Sequence, residues 1–261
     1  MDKCFIISIL WALCAVVAAA PEGRIIGGRE IDVIKHPYLV SIRYRSQPNE
    51  SYVHKCAGVI YSERVVVTAA QCVVDIKDNE KVMVVAGANS RTGLDGLPYP
   101  ALKWVSHPSY SSWTVDYDIG LIVIDDVFDF EHMKIKPISI RESRPIEGKV
   151  GTVAGWGYRE EFGPSSSNLE EVQVPIVGSA DCIKSYGFGE VTERMICAGF
   201  LKTGGRDACQ GDTGGPLVVD NQLVGLVSWG RGCARPGYPS VYTFVSALKQ
   251  WIDDTIIANV L

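Results

Sequence analysis

Short apolar runs of strand length recur along the chain, and turn-rich pieces containing Gly and Pro separate them. The runs are rich in Val, Ile and Tyr, which favour a pleated strand over a helix. Their spacing predicts antiparallel sheets closed into barrels or sandwiches, and it disfavours alternating strand and helix units. The runs are YLVSIRY, VVVTAA, KVMVVAG, IGLIVID, GTVAGWG, EVQVPIV and QLVGLVSWG.

The C-terminal segment is the one stretch with a clear helical pattern. From residue 246 onward, four apolar residues fall on one face of a helix, and that face predicts packing against the body of the protein. These residues are Leu248, Trp251, Ile252 and Ile256. Residues 134–144 are predicted to link two halves of the chain.

The first twenty residues have the pattern of a signal peptide. An early Lys3 precedes an apolar stretch over residues 4–17 and small residues at 18–20, which is the order of regions that secretory signals share. A membrane anchor is the alternative, but the stretch is short for a bilayer span. We therefore expect residues 1–20 to be removed and the protein to be secreted to the extracellular space, with no membrane association.

Six cysteines remain after the two in the predicted signal peptide are set aside. An even number suits disulfides in an oxidising compartment. Zinc is the competing interpretation, but the chain has no CxxC and no pair of His residues at ligand spacing. The cysteines are Cys56, Cys72, Cys182, Cys197, Cys209 and Cys233.

The charge of the chain disfavours nucleic acid as a partner. The formal net charge is -5 and the pI is near 5.4, so the basic surplus that a phosphate backbone requires is missing. The tripeptide Asn49-Glu50-Ser51 is a possible glycosylation site in a polar stretch, although so short a motif is weak evidence.

The most informative stretch is RDACQGDTGGPLVV, which places three glycines and an acid around one hydroxyl. This density of glycine lets backbone N–H groups converge on one point. The stretch resembles the GDSGGP segment of the chymotrypsin and trypsin family, with Thr213 where the family has its nucleophilic serine. The likeness covers residues 25–261, and its other carriers are IIGG, VVVTAAQC, YDIGLIVID and VSWGRGCARPGYPSVY.

The resemblance implies an all-β fold of two six-stranded antiparallel β-barrels with a C-terminal α-helix. It also implies that residues 21–24 form a short activation peptide, and that residues 25–261 form one trypsin-like domain. Cleavage after Arg24 would free the amine of Ile25 to pair with Asp212. The implied disulfides are Cys56–Cys72, Cys182–Cys197 and Cys209–Cys233.

The implied catalytic triad is degenerate. Asp118 keeps the position of the carboxylate, but Gln71 stands where the family has its histidine, and Thr213 replaces the serine. An amide is too weak a base to accept and return a proton near neutral pH, although Gln71 can still donate a hydrogen bond to Asp118. Oxyanion-hole donors are implied at the backbone of Gly211 and Thr213. The remaining histidines are expected to lie away from the cleft: His36, His54, His107 and His132.

The implied specificity pocket is altered as well. Asp207 stands where trypsin-like members hold the acid that pairs with Arg or Lys, and Ser228 and Gly230 form part of the wall. Ser240 replaces a second glycine, so its side chain should intrude and its hydroxyl could bond Asp207. We expect weakened or absent binding of Arg and Lys. Residues 87–99 lack the carboxylates of the family's calcium loop, so neither a metal nor another cofactor is expected.

Three functions are compatible with this pattern. The leading hypothesis is a secreted, catalytically inactive serine protease homologue, hence no enzyme, that binds a protein partner as a decoy or modulator of proteases. The chain is similar to inactivated protease paralogues of parasitic mites, a likeness that implies interference with a host defence cascade such as complement. The alternative is a weakly active trypsin-like serine endopeptidase. A storage protein fits the stable scaffold but explains no specific residue.

Overall fold

A computed structural model of the chain describes residues 26–77 and 79–260. The predicted signal peptide, the activation peptide, Arg24 and Ile25 lie outside these residues. The strands are β1 (Arg29–Glu30), β2 (Leu39–Arg45), β3 (Val53–Ile60), β4 (Val65–Thr68), β5 (Lys81–Ala86), β6 (Leu97–Ser106), β7 (Gly120–Ile124), β8 (Val150–Gly155), β9 (Glu170–Val177), β10 (Met195–Ala198), β11 (Pro216–Val219), β12 (Gln222–Trp229) and β13 (Ser240–Phe244). The α-helices are α1 (Ser179–Tyr186) and α2 (Lys249–Val260).

The first half of the chain forms a closed antiparallel barrel in the order β2-β3-β4-β7-β6-β5. The barrel closes where β5 pairs with β2, for example Val40 opposite Ala86. Alternate side chains point inward, so Val40, Ile42 and Val84 are fully buried in its core. Closure leaves this sheet without an open edge.

The second half forms another closed six-stranded barrel. Its strands follow the order β9-β10-β13-β12-β11-β8, and β8 pairs back with β9. The short β1 pairs with β9 from outside, with Arg29 opposite Glu171. The expected fold of two six-stranded antiparallel barrels with a C-terminal helix is confirmed.

A hydrophobic cluster joins the two barrels in addition to the core inside each one; we call this cluster the shared core. Strand β4 is buried on both faces, because Val66 points into the first barrel while Val65 and Val67 contact the second. This double burial explains why VVVT is apolar throughout instead of alternating with polar residues. Leu226 and Ile252 complete the shared core from β12 and α2.

Helix α2 packs its apolar face onto this shared core, as the sequence predicts. Leu248 and Ile252 are buried, and Trp251 and Ile256 are partly buried against the same cluster. No helix in the described part of the chain is long and apolar enough to span a bilayer.

The short helix α1 is absent from the sequence-based expectations. Its two buried residues, Cys182 and Tyr186, are four positions apart and so share one face. A segment of eight residues is too short for its apolar pattern to predict a helix.

All three disulfides that the resemblance implies are present in the structure: Cys56–Cys72, Cys182–Cys197 and Cys209–Cys233. The first joins β3 to the turn after β4, and the second joins α1 to β10. The third joins residues 206–215, which we call the glycine-rich loop, to the segment after β12. Two of them therefore fix loops that border the cleft between the barrels.

Candidate active site between the barrels

Gln71 is placed at the cleft by the turn that follows β4. The turn Ala70–Cys72 is a single 3-10 turn, and it begins after the fully buried Ala69. The hydroxyl of Thr68 donates to the carbonyl of Ala57 at 2.7 Å, and Cys72 is tied to β3 by its disulfide. The small residues let the backbone turn tightly, so the Gln71 side chain is exposed in the cleft.

Asp118 lies fully inside the protein just before β7, opposite Gln71. Its Oδ1 accepts from the backbone N–H of Gln71 at 3.0 Å, and its Oδ2 accepts from the Ser228 hydroxyl at 2.6 Å. Burial raises the pKa of Asp118, against these hydrogen bonds, which lower it. The carboxylate is therefore well bonded by neutral donors, and no ion pair with a cation is present among the described residues.

The Gln71 side-chain amide uses both of its N–H groups. Its Nε2 donates to Asp118 Oδ2 at 2.6 Å and to the Ser228 carbonyl at 3.0 Å. The hydrogen bond to Asp118 is the one expected from the sequence, whereas the second bond is not evident without the fold. A primary amide has only two N–H donors, so Gln71 has none left to offer Thr213.

Thr213 lies at the end of the glycine-rich loop and is half-buried. Its carbonyl accepts from Ala57 N at 2.8 Å, which ties the loop to β3. Gly211 has φ of +99°, a left-handed conformation that favours glycine. Within the described residues, no group accepts from the N–H groups of Gly211 and Thr213, and none bonds the Thr213 hydroxyl. The loop therefore has two backbone N–H groups without an acceptor, and no base is bonded to its alcohol among the described residues.

His54 is buried behind the glycine-rich loop and contacts the backbone of that loop. His54 Nε2 contacts the Gly211 carbonyl at 2.9 Å, and Nδ1 contacts the Ser41 hydroxyl at 2.8 Å. Burial lowers the pKa of His54 to about 4, so the ring is neutral at pH 7. It supports the glycine-rich loop from behind. The sequence places His54 two residues before Cys56, and it gives no other indication that this histidine contacts the loop.

His36 and His107 lie elsewhere, as expected. His36 Nε2 contacts Glu171 at 2.8 Å, and the ring of His107 packs between those of Tyr117 and Trp251. Neither contact involves a residue of the cleft. The structure therefore shows no histidine in contact with Thr213 among the described residues.

Asp212 is buried completely behind the same loop. Its carboxylate accepts from Gly157 N at 2.8 Å and from Cys209 N at 3.0 Å. Burial raises its pKa to about 7, because no described cation lies beside it. A Cβ at Gly157 would lie 2.3 Å from the carboxylate, so glycine is required there. The ion pair with the Ile25 amine stays a prediction, since Arg24 and Ile25 are outside the described residues.

A pocket of about 260 Å³ opens beside Thr213; we call it the deep pocket. Behind it lies Asp207, which is almost fully buried and accepts from Ala208 N at 2.9 Å and Ala234 N at 2.8 Å. Burial raises the pKa of Asp207 to about 6, although the hydrogen bond from the backbone of Ala234 acts in the opposite direction. The deep pocket is lined by Gln71, Ala208, Cys209, Gln210, Thr213, Val227, Ser228, Trp229, Gly230, Gly232, Cys233 and Ser240.

A second pocket of about 270 Å³ lies on the other side of Thr213; we call it the side pocket. It is lined by Tyr44, Lys55, Cys56, Gln71, Cys72, Asp75, Ile76, Glu80 and Thr213. The two pockets have only Gln71 and Thr213 in common, so these residues form the shared wall between them. A bound chain segment that fills both pockets must cross this wall.

Metal binding and glycosylation have no further support in the structure. The described residues contain no group of His, Cys, Asp and Glu side chains that could hold a metal ion. Asn49 is exposed in the turn between β2 and β3, and its glycosylation stays a prediction.

The comparisons with known proteins agree on one family. Residues 25–252 match the family model of Trypsin. Over 249 residues the chain is 43% identical to trypsin eta of Drosophila melanogaster, covering 95% of this chain and 94% of that protein. Over 243 residues it is 42% identical to trypsin zeta of the same species, with 90% and 86% covered.

The similarity to a relative with a different name covers a similar share of both chains. The vitellin-degrading protease of Bombyx mori is 38% identical over 257 residues, covering 95% of this chain and 93% of that protein. The match spans nearly the whole of both chains, and the two barrels, the three disulfides and the cleft geometry agree with it. The chain therefore belongs to the trypsin-like serine protease family.

Proposed function

We propose that this chain is a secreted, catalytically inactive member of the family that acts by binding a protein partner. The observation that carries the proposal is the hydrogen bonding of Gln71, whose two N–H groups are held by Asp118 and the Ser228 carbonyl. The histidine of a working triad takes a proton from the nucleophile and returns it to the leaving group. A carboxamide in that position cannot carry out either transfer.

The loss of rate expected from this change is large. Removing members of a catalytic triad lowers turnover by on the order of 10⁶ in a well-studied protease, and the losses are not additive. Backbone donors and substrate binding alone retain roughly 10³ to 10⁴ over the reaction in water. The second replacement, Thr213, adds a methyl group that restricts χ1 of the hydroxyl. Hydrolysis at the cleft is therefore negligible on the time scale of binding.

The open cleft between the barrels supports a binding role. Both pockets are open beside the shared wall of Gln71 and Thr213, and Asp118 is bonded to both the turn after β4 and Ser228. A protein segment that enters such a cleft is held without being cut. We propose that the chain acts in this way as a decoy for the substrates or inhibitors of active proteases, including those of a host defence cascade such as complement.

The test measures hydrolysis of peptide amides ending in Lys or Arg by the chain cleaved after Arg24. We expect no turnover by the native chain, whereas Gln71→His combined with Thr213→Ser should gain on the order of 10⁶ in kcat/KM. A third change, Ser240→Gly, is added if the altered pocket limits substrate binding. A fluorophosphonate probe should label the double variant at residue 213 and leave the native chain unlabelled.

A matched control identifies the source of any restored activity. Asp118→Asn in the double variant should lower its activity by on the order of 10⁴, because the carboxylate orients the histidine. Activity that this change does not lower would belong to a contaminating protease. Turnover by the native chain at a rate typical of trypsins would instead support the alternative function, a trypsin-like endopeptidase.

A further inference from the structure

Arg231 stands at the mouth of the deep pocket. Its two neighbours in the chain, Gly230 and Gly232, both line that pocket, whereas the side chain of Arg231 is exposed beside them. Arg231 is also the first charged residue after strand β12 ends at Trp229. A positive charge therefore lies at the edge of the pocket, outside its lining.

Two tyrosine rings support the side chain of Arg231. Its guanidinium carbon lies 5.3 Å from the ring centroid of Tyr238 and 5.9 Å from that of Tyr186. A guanidinium within about 6 Å of an aromatic face is attracted to it. Tyr186 in turn contacts Trp229, which lines the deep pocket, with 4.7 Å between the ring centroids. The rings therefore favour a position of Arg231 beside the pocket.

The position of Tyr186 shows how close this charge is to the wall of the pocket. A Cβ on Gly230 would lie 3.7 Å from the Tyr186 hydroxyl oxygen, so that hydroxyl lies directly behind the wall. Burial raises the pKa of Tyr186 to about 12, whereas Arg231 acts in the opposite direction through its backbone and its charge. The cation and the pocket wall thus share the same neighbour.

Arg231 has no carboxylate partner in the part of the chain that the structure describes. Other cations near the cleft are paired. Arg235, four residues further on, donates to both oxygens of Glu161 at 2.8 Å and 2.6 Å, and Lys55 beside the side pocket lies 3.8 Å from Glu80. The charge of Arg231 is therefore available to a ligand, unlike these two.

A carboxylate is the ligand that fits this group best. A guanidinium carries five N–H donors in a planar fork that matches the two oxygens of a carboxylate. Stacking on the tyrosine rings restricts the side chain of Arg231 before binding, which lowers the entropy lost on binding. An extended segment advances about 3.3 Å per residue, so the carboxylate would belong to a residue close in sequence to the one in the deep pocket.

We propose that Arg231 is a second anchor for the protein partner and binds an acidic side chain of the segment that occupies the cleft. That Asp or Glu lies within three positions of the residue that enters the deep pocket. This inference rests on the proposed binding role. The partner is accordingly a protein with an acidic residue in the exposed segment that it inserts.

The test uses acetylated heptapeptide amides with a central Lys and Ala elsewhere, in which one Asp is moved through the other positions. Each is compared with the peptide that has Asn at the same position, so the affinity of the central residue cancels. Calorimetric titration into the full chain cleaved after Arg24 should show that Asp binds about fivefold more tightly at one or two positions on one side of the Lys. This preference should shrink as salt is added.

Two variants and a matched control assign the preference to Arg231. Arg231→Gln should abolish it, and Arg231→Glu should reverse it, so that Lys at the same peptide position binds more tightly than Asp. The control is Arg45→Glu, which makes the same change of charge at an arginine that stacks over Tyr52 at 4.6 Å and lines neither pocket. It should leave the preference unchanged.

Equal affinities of the Asp and Asn peptides at every position, failure of the whole set to bind, or a preference that survives Arg231→Glu would overturn the inference. Loss of the preference in Arg45→Glu would overturn it as well, because net charge alone would then account for the effect. Chromatography of the same samples reports hydrolysis. Cleavage of the peptides would refute the proposed inactivity, whatever the titrations show for Asp.

Discussion

Single residues at the cleft are held by hydrogen bonds, and an amide stands where the resemblance places the histidine of the family. Gln71 occupies the hydrogen-bonding position beside Asp118 with an N···O distance of 2.6 Å. The resemblance predicts this bond, because it places the Gln71 side chain, which has a donor, beside the carboxylate of Asp118. The bond to the Ser228 carbonyl and the role of His54 could not be predicted. Both depend on the distance between the two barrels, which only the fold defines.

Replacing Gln71 by a residue of similar length without donors should destabilise the protein. Gln71→Met removes one hydrogen bond from the buried Asp118, and we expect a loss of about 1 to 3 kcal/mol in the free energy of unfolding. Gln71→His, which retains a donor, is the control and should lose much less. Urea denaturation at pH 7 measures both. Equal stability of Gln71→Met and the native chain would mean that the bond contributes nothing.

Asp212 should make the stability of the uncleaved chain depend on pH. Burial raises its pKa from 3.8 to about 7, so the folded chain holds a proton that the unfolded chain loses at lower pH. The contribution to stability is full below about pH 4 and is lost as the pH rises through about 7. The carboxylates of Asp207 and Glu170 face Asp212 and act in the same direction.

The measurement compares Arg24→Gln, which blocks cleavage, with the same chain carrying Asp212→Asn. As the pH rises from 5 to 7, the free energy of unfolding of Arg24→Gln should fall by about 2 kcal/mol relative to that of the chain that also carries Asp212→Asn. The comparison cancels His36 and His54, whose lowered pKa values act in the opposite direction. Parallel pH profiles for the two chains would show that Asp212 does not titrate in this range.

Among the elements of the structure, the loop over residues 89–96 is held by a side chain of strand β2. The guanidinium of Arg43 is almost fully buried and donates to the carbonyls of Ser90 and Gly93, each at 3.0 Å. Asp95 accepts from the backbone N–H groups of Asn89 and Ser90. A positive group of the chain itself thus binds two carbonyls of this loop. The sequence contains no indication of this contact.

Arg43→Met should loosen this loop without removing the barrel. The change leaves two carbonyl groups without their donor, and we expect a loss of about 2 to 3 kcal/mol. Amide hydrogen exchange should rise in residues 89–96 more than in the strands. Addition of calcium to the native chain should leave exchange in the loop unchanged. Protection of the loop that depends on added calcium would contradict this account.

At the scale of the whole molecule, the two barrels are joined through one core. The strand pattern and the resemblance together predicted both barrels, since apolar period and turn residues are local properties of the sequence. The burial of a strand on both faces depends on how the two barrels pack together, and it is not a local property of the sequence. Val65 and Val67 contact the second barrel and α2, and nothing in VVVT separates these contacts from those of Val66.

The shared core predicts a single unfolding transition for both barrels. Leu226→Ala removes a fully buried side chain from this core and should cost about 2 to 5 kcal/mol. In each protein, circular dichroism and tryptophan fluorescence should report one common midpoint, and this midpoint should be lower in the variant. Two separated transitions would indicate that each barrel folds alone.

The shared wall of Gln71 and Thr213 determines how the effect of such a protein depends on its amount. A working protease frees itself by cutting its ligand, so few copies process many molecules over time. In the proposed binding role, a captured segment would leave only by dissociation, and each copy would occupy one ligand for the whole residence time. In the proposed role, potency therefore rises with dose and with the slowness of release, and longer incubation adds nothing once equilibrium is reached.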